Sequence, residues 1–259
     1  MKAIAAFVLV LCCLIVGSTA WTCKQGPRLN RVQQIDAGSG QVVANSGYYA
    51  YFLIGTSWYR MSTLRFRHVT VGPAGLWAVG TNYRVYKYVA GIYKQSGGPT
   101  MRSVDAGGND LLVGITTSWY AYCLRSTYAE AYRGRGNLRW NSLSRRMRYY
   151  SCSPRNGCWG VDLSYRVFYT QRIIPTSCGT YKWQYVRGMK MRKVEVGTDG
   201  YTFGVSLKGK VYQRLGFHPR RPFGTTWRQI PMCMPVRDVS YDLGKLWMAT
   251  TSGTVMYCI

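Results

Sequence analysis

Short runs of alternating apolar and polar residues, separated by turn-forming residues, make up most of the chain. Residues 69–88, VTVGPAGLWAVGTNYRVYKY, contain two such runs on either side of a polar turn. Alternation with a period of two residues, bounded by Gly, Pro or Asn, predicts β-strands joined as hairpins. The sequence is therefore predicted to form an all-β protein built from short strands.

The same strand pattern recurs six times along the chain. Each copy has a first strand with a central residue that we call the anchor, then a Gly-containing turn, a second strand, a polar turn, a third strand and a fourth strand. The anchors lie 34 to 46 residues apart and are Ile35, Val69, Val104, Tyr150, Val194 and Val239. Six units of four strands predict a six-bladed β-propeller. Its repeats start near residues 31, 65, 100, 146, 190 and 235. A two-domain sandwich would not explain six copies in phase.

Aromatic and small residues recur at fixed places in the repeat. The second strand carries Trp77, Trp159 and Trp247, and the fourth strand carries Trp58, Tyr93, Trp140, Trp183 and Trp227. Because both faces of a propeller blade are covered by neighbours, we expect these rings to fill the gaps between blades. Glycines such as Gly72, Gly107 and Gly197 would let the innermost strands approach the axis closely.

The two ends of the repeat region are incomplete in a complementary way. Residues 21–30 resemble a fourth strand without a unit, and the last unit stops after its third strand at Ile259. The N-terminal segment is therefore predicted to complete the blade that begins at Pro235, which removes two exposed strand edges. This places Cys23 beside Cys258, where a disulfide would lock the ring.

The first twenty residues have the pattern of a secretory signal peptide. Lys2 precedes an apolar stretch from Ala3 to Val16, and the small residues Ser18 and Ala20 follow. We therefore expect residues 1–20 to be removed and residues 21–259 to be secreted. The apolar run is too short to span a membrane, and no second long run follows, so no transmembrane segment is expected.

Seven cysteines follow residue 20, and an odd number in a secreted chain leaves one over. Cys152 and Cys158 lie in one hairpin and should pair locally. Cys123 and Cys178 belong to neighbouring units, which makes a bridge between them plausible. Cys233 then remains outside the predicted pairs.

Charge is the most unusual feature of the composition. The chain has 34 Lys and Arg against 9 Asp and Glu, a formal net charge of +25 that is spread over every segment. Such a surface attracts polyanions, which outside the cell are sulfated or sialylated glycans, lipopolysaccharide phosphates and acidic membranes. Solubility alone needs less charge. Binding to nucleic acid would follow from charge alone, but secretion makes it incidental.

The turns between second and third strands are the candidate binding site, because all six emerge on one face of a propeller. Sugars are bound by polar groups that hydrogen-bond to hydroxyls and by aromatic rings that pack on C–H faces. The carbohydrate-binding candidates are Asn45, Ser46, Tyr48, Asn82, Tyr83, Trp119, Ser164, Tyr165, Lys208, Thr251 and Ser252. The anion-binding candidates are Arg84, Arg166, Lys210, Arg220 and Arg221. For each residue alone, a backbone role in the turn or a solvated surface position is the competing interpretation.

Catalysis lacks its usual parts in this sequence. The acids Asp36, Asp105 and Glu195 occupy one repeat position, where the other units have Thr70, Ser151 and Ser240. Recurrence in phase with the repeat indicates a structural role. There is no nucleophile motif, and neither histidine has metal-ligand spacing to the cysteines. We therefore expect neither an enzyme nor a metal or other cofactor.

Several stretches resemble a known family. IDAGSGQV, VTVGPAGLWAV, YYSCSPRNGCWGV, VEVGTDG and VSYDLGKLW are similar to segments of the fish-egg lectins, which are secreted tectonin-repeat proteins. The resemblance covers the chain after residue 20 and keeps the order of all six units. It implies a six-bladed tectonin propeller that binds N-acetylglucosamine-type sugars and bacterial surface glycans in defence of eggs and body surfaces. It also implies the three disulfides given above.

The chain departs from that family in three respects. Of the family's Asn-Ser-x-Asp turns only Asn45-Ser46 remains. The family's additional cysteine in the fifth unit is missing from RLGFHPRRPFGTTW, which leaves Cys233 over. The charge is also far more basic. These departures indicate a divergent member of the family and leave an anionic ligand open. We expect a lectin for microbial or egg-surface glycans, including N-acetylglucosamine-type sugars and lipopolysaccharide, with a cationic polyanion-binding or membrane-active defence protein as the alternative. The sequence leaves a homodimer open.

Overall fold

The computed structural model describes residues 21–259, so the predicted signal peptide, residues 1–20, lies outside the described residues. Twenty-four strands form six four-stranded antiparallel sheets. The predicted six-bladed β-propeller is confirmed. We number the blades 1 to 6 by their first strands.

The strand bounds follow the six predicted units. The N-terminal strand is β1 (Cys23–Gln25). Blade 1 has β2 (Val32–Gly38), β3 (Gln41–Ser46), β4 (Tyr49–Ile54) and β5 (Ser57–Arg60). Blade 2 has β6 (Phe66–Gly72), β7 (Gly75–Gly80), β8 (Val85–Val89) and β9 (Ile92–Gln95). Blade 3 has β10 (Met101–Asp105), β11 (Leu112–Thr116), β12 (Tyr120–Leu124) and β13 (Trp140–Arg146).

Blades 4 to 6 complete the ring. Blade 4 has β14 (Tyr149–Cys152), β15 (Cys158–Val161), β16 (Val167–Thr170) and β17 (Gln184–Val186). Blade 5 has β18 (Met191–Val196), β19 (Thr202–Ser206), β20 (Val211–Leu215) and β21 (Thr226–Ile230). Blade 6 has β22 (Val236–Asp242), β23 (Lys245–Thr250), β24 (Val255–Cys258) and, as its outer strand, β1.

The ring closes through β1, as predicted. β1 pairs antiparallel with β24, and Cys23 lies opposite Cys258 and forms a disulfide with it. Thr22 and Ile259 exchange backbone hydrogen bonds of 2.8 and 3.0 Å. The outer edge of blade 6 is therefore covered by the other end of the chain.

Two further disulfides connect the pairs expected from the sequence. Cys123 in β12 is bonded to Cys178 in the loop after β16, so this bridge joins blade 3 to blade 4. Cys152 and Cys158 are bonded across the turn between β14 and β15. Cys233 lies outside these three disulfides, in the segment between β21 and β22.

Between residues 21 and 259, six hydrophobic clusters make up the core, and each lies between two neighbouring blades. Trp77 and Trp159 are fully buried in two of these clusters. Trp159 of blade 4 packs edge-to-face on Trp227 of blade 5, with ring centroids 6.3 Å apart. The recurrent tryptophans therefore join blades to each other, and Trp183 does so from the residue just before β17.

The innermost strands approach too closely for side chains at one repeat position. A Cβ on Gly72 would lie 2.4 Å from the carbonyl oxygen of Ala106 in the next blade, and one on Gly107 would lie 2.6 Å from that of Cys152. Such distances are below any normal van der Waals contact. Glycine at this position is therefore a requirement of blade packing.

A ring of hydrogen bonds joins neighbouring blades around the axis. In five of the six blades, the residue after the anchor accepts a hydrogen bond from a backbone N–H of the next blade. The pairs are Asp36 with Val71, Thr70 with Ala106, Asp105 with Cys152, Ser151 with Val196 and Ser240 with Ala37. In blade 5, Glu195 instead accepts from Ser151 and Tyr149. Carboxylates and hydroxyls thus alternate around the ring, and this repeat position serves blade contacts.

The long connection between β12 and β13 contains helix α1 (Ser126–Ala131). Lys87 of blade 2 donates a hydrogen bond to the carbonyl of Ala129 in this helix, which holds the connection against the propeller. Within residues 21–259, no helix has the length and apolar character needed to cross a membrane.

Candidate functional site

Six turns that join the second and third strands of each blade lie on one face of the ring. We call them the site turns (residues 47–48, 81–84, 117–119, 162–166, 207–210 and 251–254) and this surface the turn face. A carbonyl in each site turn accepts a hydrogen bond from the backbone at the start of the next blade. The accepting residues are Tyr48, Tyr83, Trp119, Tyr165, Gly209 and Gly253. The turns are therefore fixed on a rigid scaffold.

The accepting residue has a left-handed backbone in every site turn. Gly209 and Gly253 fill this position in blades 5 and 6, as expected for a positive φ. In the other four blades the position is aromatic, with φ of 69° at Tyr48, 63° at Tyr83, 70° at Trp119 and 63° at Tyr165. A bulky residue in this conformation is strained by about 1 kcal/mol or more relative to glycine. Strain that recurs at one position of a repeat points to a function for the rings.

Arginines lie over all four of these aromatic rings, with Arg65 at 5.4 Å from the ring centroid of Tyr48. The guanidinium carbon of Arg67 is 4.1 Å from the ring centroid of Tyr83, and that of Arg102 is 3.9 Å from Trp119. Arg148 lies 4.5 Å from Tyr165 and 5.3 Å from Trp119. These are cation–π distances, so each ring orients a positive charge on the turn face.

Arg67, Arg102 and Arg148 belong to a ring that was not predicted from the sequence. The position two residues before the anchor is arginine in five blades and glutamine in the sixth. We call the set the arginine ring: Arg67, Arg102, Arg148, Arg192 and Arg237, with Gln33 in the remaining place. All six side chains line one cavity of about 360 Å³ at the mouth of the central channel. Their constant position, two residues before each anchor, is the feature of the sequence from which this ring could have been predicted.

Hydrogen bonds to the site turns hold four of the arginines in place. Arg102 donates to the carbonyl of Thr117 at 3.1 Å, and Arg148 donates to that of Leu163 at 3.3 Å. Arg192 donates to Leu207 at 2.8 Å, and Arg237 donates to Thr251 at 3.0 Å. The four accepting carbonyls occupy equivalent positions in their turns. Each guanidinium therefore has a defined orientation and keeps further N–H donors available.

A buried charge cluster closes the channel beneath the arginine ring. The Lys193 ammonium lies 2.7 Å from an oxygen of Asp238 and 3.1 Å from one of Glu195, and all three side chains are buried. Burial opposes the charge of Lys193, but Asp238, Glu195 and Asp36 outweigh it and raise the pKa of this lysine. Burial, with Lys193 as a second cause, lowers the pKa of His68 to about 3, so this imidazole adds no charge at neutral pH.

The protonation of Asp36 is sensitive to pH near neutrality. Burial, followed by repulsion from Glu195, raises the pKa of Asp36 to about 7. A raised pKa in the folded state means that Asp36 stabilises the fold at acid pH. This contribution falls as the pH rises from about 4 through 7.

Replacing Asp36 by Asn is expected to remove that pH dependence. The amide oxygen still accepts from Val71, and the amide nitrogen can donate to Ser240, which is now 3.0 Å from the carboxylate. At pH 8 we expect the variant to be more stable by roughly 2 kcal/mol, because no charge is buried. Urea denaturation at pH 5 and pH 8 measures this difference. Parallel pH profiles for the two proteins would contradict the assignment.

The sequence-predicted carbohydrate candidates have different surroundings. Asn45 is fully buried and donates to the carbonyl of Phe66 at 2.7 Å, and Ser46 donates to that of Asn30, so both side chains hold backbone. Tyr48 is 40% exposed. The exposed candidates in the other site turns are Asn82, Ser164, Lys208, Thr251 and Ser252, while Tyr83, Trp119 and Tyr165 are half-buried.

The predicted anion-binding residues lie in two separate places. Arg84, Arg166 and Lys210 are exposed in the site turns, where Arg166 forms an ion pair of 2.7 Å with Asp162. Arg220 and Arg221 lie in the loop between β20 and β21, which is on the opposite face. That loop contributes His218 to a cleft of about 500 Å³ that also contains Arg155 and Tyr201. The structure therefore does not bring Arg220 and Arg221 to the arginine ring.

Metal binding has no evident centre in the part of the chain that the structure describes. No three His, Cys, Asp or Glu side chains of residues 21–259 are grouped as metal ligands would be.

Solved structures of other proteins share the propeller architecture. A protein of unknown function from Bacteroides thetaiotaomicron superposes with a TM-score of 0.60 and 12% identity, over 92% of this chain and 76% of that one. YCF48 from Cyanidioschyzon merolae superposes with a TM-score of 0.52 and 16% identity, over 92% of this chain and 98% of that one. At these identities the likeness concerns the fold alone.

Sequence comparison is more specific. The sequence model of the Tectonin domain family matches residues 31–251, from the start of blade 1 through the second strand of blade 6. The fish-egg lectin of Cyprinus carpio is 33% identical to this chain over 158 residues. That match spans 60% of this chain and 65% of the carp protein, slightly less than two thirds of the lectin. The chain therefore belongs to the tectonin family.

Proposed function

We propose that this chain is a secreted, non-catalytic lectin whose turn face binds glycans of microbial or egg surfaces in innate defence. The ligands would include N-acetylglucosamine-type sugars and lipopolysaccharide. One observation carries the proposal: four site turns keep an aromatic residue in a left-handed conformation that glycine adopts in the other two. An aromatic residue at this position has a strained backbone, so its presence in four turns indicates that the ring is needed there. Aromatic rings beside oriented arginines are suited to pack on the C–H faces of sugars.

The repeat arrangement is suited to weak binding at several places at once. In three of the aromatic site turns an exposed polar residue directly precedes the ring: Asn82 before Tyr83, Ser118 before Trp119 and Ser164 before Tyr165. Because the turns are fixed on one rigid face, a branched or surface-bound glycan could contact several of them, so that weak affinities combine.

Other observations support secretion and the absence of catalysis. Three disulfides are typical of proteins from oxidising, extracellular compartments. The carboxylates Asp36, Asp105 and Glu195, which an enzyme could use, accept hydrogen bonds in or near the blade contacts. The relative from carp is named a fish-egg lectin.

A cationic protein that binds sulfated glycans or lipopolysaccharide phosphate by charge alone is the second candidate. The net charge of +25 and the arginine ring favour it. The two functions differ in how the ligand is released. A lectin is displaced from N-acetylglucosamine resin by free sugar at constant salt, whereas a charge-driven protein is displaced from heparin or lipopolysaccharide by salt.

Changing Tyr48, Tyr83 and Tyr165 together to Gly is expected to weaken binding to neutral glycans about tenfold or more. Each substitution removes a ring whose exposed apolar surface would be buried against the sugar on binding. The positive φ at these positions suits glycine, so the fold should tolerate the changes. Binding to N-acetylglucosamine oligomers at fixed ionic strength measures the effect.

Tyr59→Ala is the matched control, because Tyr59 is 55% exposed on the outer strand of blade 1. This variant should bind as the wild type does. Unchanged glycan binding by the triple glycine variant, with an intact thermal transition, would overturn the proposed site.

A further inference from the structure

We propose that the arginine ring forms one binding site, centred on the channel axis, for a compact saccharide that carries several phosphate or sulfate monoesters. This inference deepens the proposed function, because it names a ligand class and a location for anionic glycans. It differs from attraction by overall charge, because it assigns the binding to five particular side chains on one face.

The first argument is that the charges converge and are not neutralised by the protein. Arg67, Arg102, Arg148, Arg192 and Arg237 line a single cavity. Within residues 21–259 the ion pairs are Arg166–Asp162, Lys193–Glu195 and Lys193–Asp238, and none includes an arginine of the ring. Like charges in one cavity repel each other, so a ring without carboxylate partners favours a bound anion.

The second argument is that the guanidinium groups are oriented before a ligand arrives. Three stack on site-turn aromatics, and four donate a hydrogen bond to a site-turn carbonyl. A guanidinium has five N–H donors in a planar fork that matches phosphate and sulfate oxygens. Because the turn carbonyl accepts one of them, the others remain for the ligand, and little conformational entropy is lost on binding.

The third argument is the shape and depth of the cavity. Its volume of about 360 Å³ is within the range of small-molecule sites. Lys193 and Asp238, paired with each other, lie at its base, and His68 there is neutral. The single ammonium is shared between Asp238 and Glu195 and balances one of these two carboxylates, so the five arginines still leave the mouth positive. A compact, multiply charged ligand can contact several arginines at once, whereas an extended chain can contact fewer.

Isothermal titration calorimetry with two compact probes tests the site. Inositol hexakisphosphate carries clustered phosphates, and sucrose octasulfate carries clustered sulfates. We expect at least one of them to bind the wild-type chain with a stoichiometry of one. The probe that binds more tightly shows whether phosphate or sulfate is the preferred ester. Glucose 6-phosphate, which carries a single ester, should bind far more weakly.

The double variant Arg192→Gln with Arg237→Gln is expected to lose about a hundredfold in affinity for that probe. Both side chains are exposed, and glutamine occupies the sixth place naturally as Gln33. The matched control, Arg220→Gln with Arg221→Gln, removes the same charge from exposed arginines on the opposite face. It should lose less than about threefold, as expected for screened, distant charges.

Equal losses in the two double variants would overturn the proposal in favour of overall charge. So would a stoichiometry well above one, or no binding of either probe by the wild type. A second measurement separates this result from the lectin proposal. If the ring variant loses the probe but stays on N-acetylglucosamine resin, the ring is a site of its own on a working lectin. If the wild type binds the probe but not the resin, the ring stands and the neutral-sugar function fails.

Discussion

Replacing Cys23 and Cys258 together by Ser is expected to lower the free energy of unfolding by about 5 kcal/mol. Their disulfide closes a loop with a sequence separation of 235 residues, so it restricts nearly the whole described chain in the unfolded state. It also fixes β1, a strand of three residues, as the outer strand of blade 6. Without the bridge, β1 can leave β24, and the edge of the ring is exposed.

Chemical denaturation under reversible conditions measures this loss. The matched control is Cys152→Ser with Cys158→Ser, which opens a disulfide of sequence separation 6. The chain-entropy model gives about 2 kcal/mol for such a short loop. The two double variants therefore differ by about 3 kcal/mol if ring closure acts through chain entropy. Equal losses in both would contradict that account.

Changing Lys193 to Met is expected to cost about 3–5 kcal/mol of stability at neutral pH. The ammonium forms ion pairs with Asp238 and Glu195, which are both buried, and methionine leaves their charges without a partner. Urea denaturation at pH 7 measures this loss.

A compensated variant keeps this prediction testable. With Lys193→Met, Glu195→Gln and Asp238→Asn combined, no charge remains in the cluster, and the residue at 238 can still accept from the backbone N–H of Ile35. Urea denaturation should show most of the lost stability restored. If the single variant is as stable as the wild type at pH 8, the buried pair does not support the channel.

The architecture could be predicted from the sequence because the repeat signals depend on local patterns. The anchors, the Gly-containing turns and the recurrent tryptophans occur at the same places in each of six four-strand units. A six-bladed propeller is the fold that accommodates all six units. Ring closure could be predicted because residues 21–30 belonged to no unit and the last unit lacked a strand. Pairing the two segments removes two exposed strand edges. Trp77 and Trp159 are buried between blades for the reason that their mid-strand positions suggested.

The site was harder to predict because it depends on convergence in space. Arg67 and Arg237 are 170 positions apart in the numbering, and only closure of the ring brings them to one cavity. Attention to basic residues in turns favoured Arg220 and Arg221, which lie on the opposite face. The motif Asn45-Ser46 matched a family pattern, yet both side chains are buried and bind backbone.

The left-handed backbone of the aromatic residues in the site turns also could not be predicted from the sequence. Conformational preference argues against a positive φ at Tyr83 or Trp119, so local propensity gave no hint of it. The carbonyl of each such residue is held by the start of the next blade, and this tertiary contact determines the backbone conformation.

The alternation of acids and hydroxyls around the axis has a consequence for how many blades this molecule can have. Asp36, Asp105 and Glu195 are each flanked by blades that contribute Thr70, Ser151 or Ser240 at the same position. Carboxylates and hydroxyls can alternate around a closed ring only if the number of blades is even. Gain or loss of a single blade would set two anionic groups, or two hydroxyls, side by side, whereas duplication of a pair of blades would preserve the pattern.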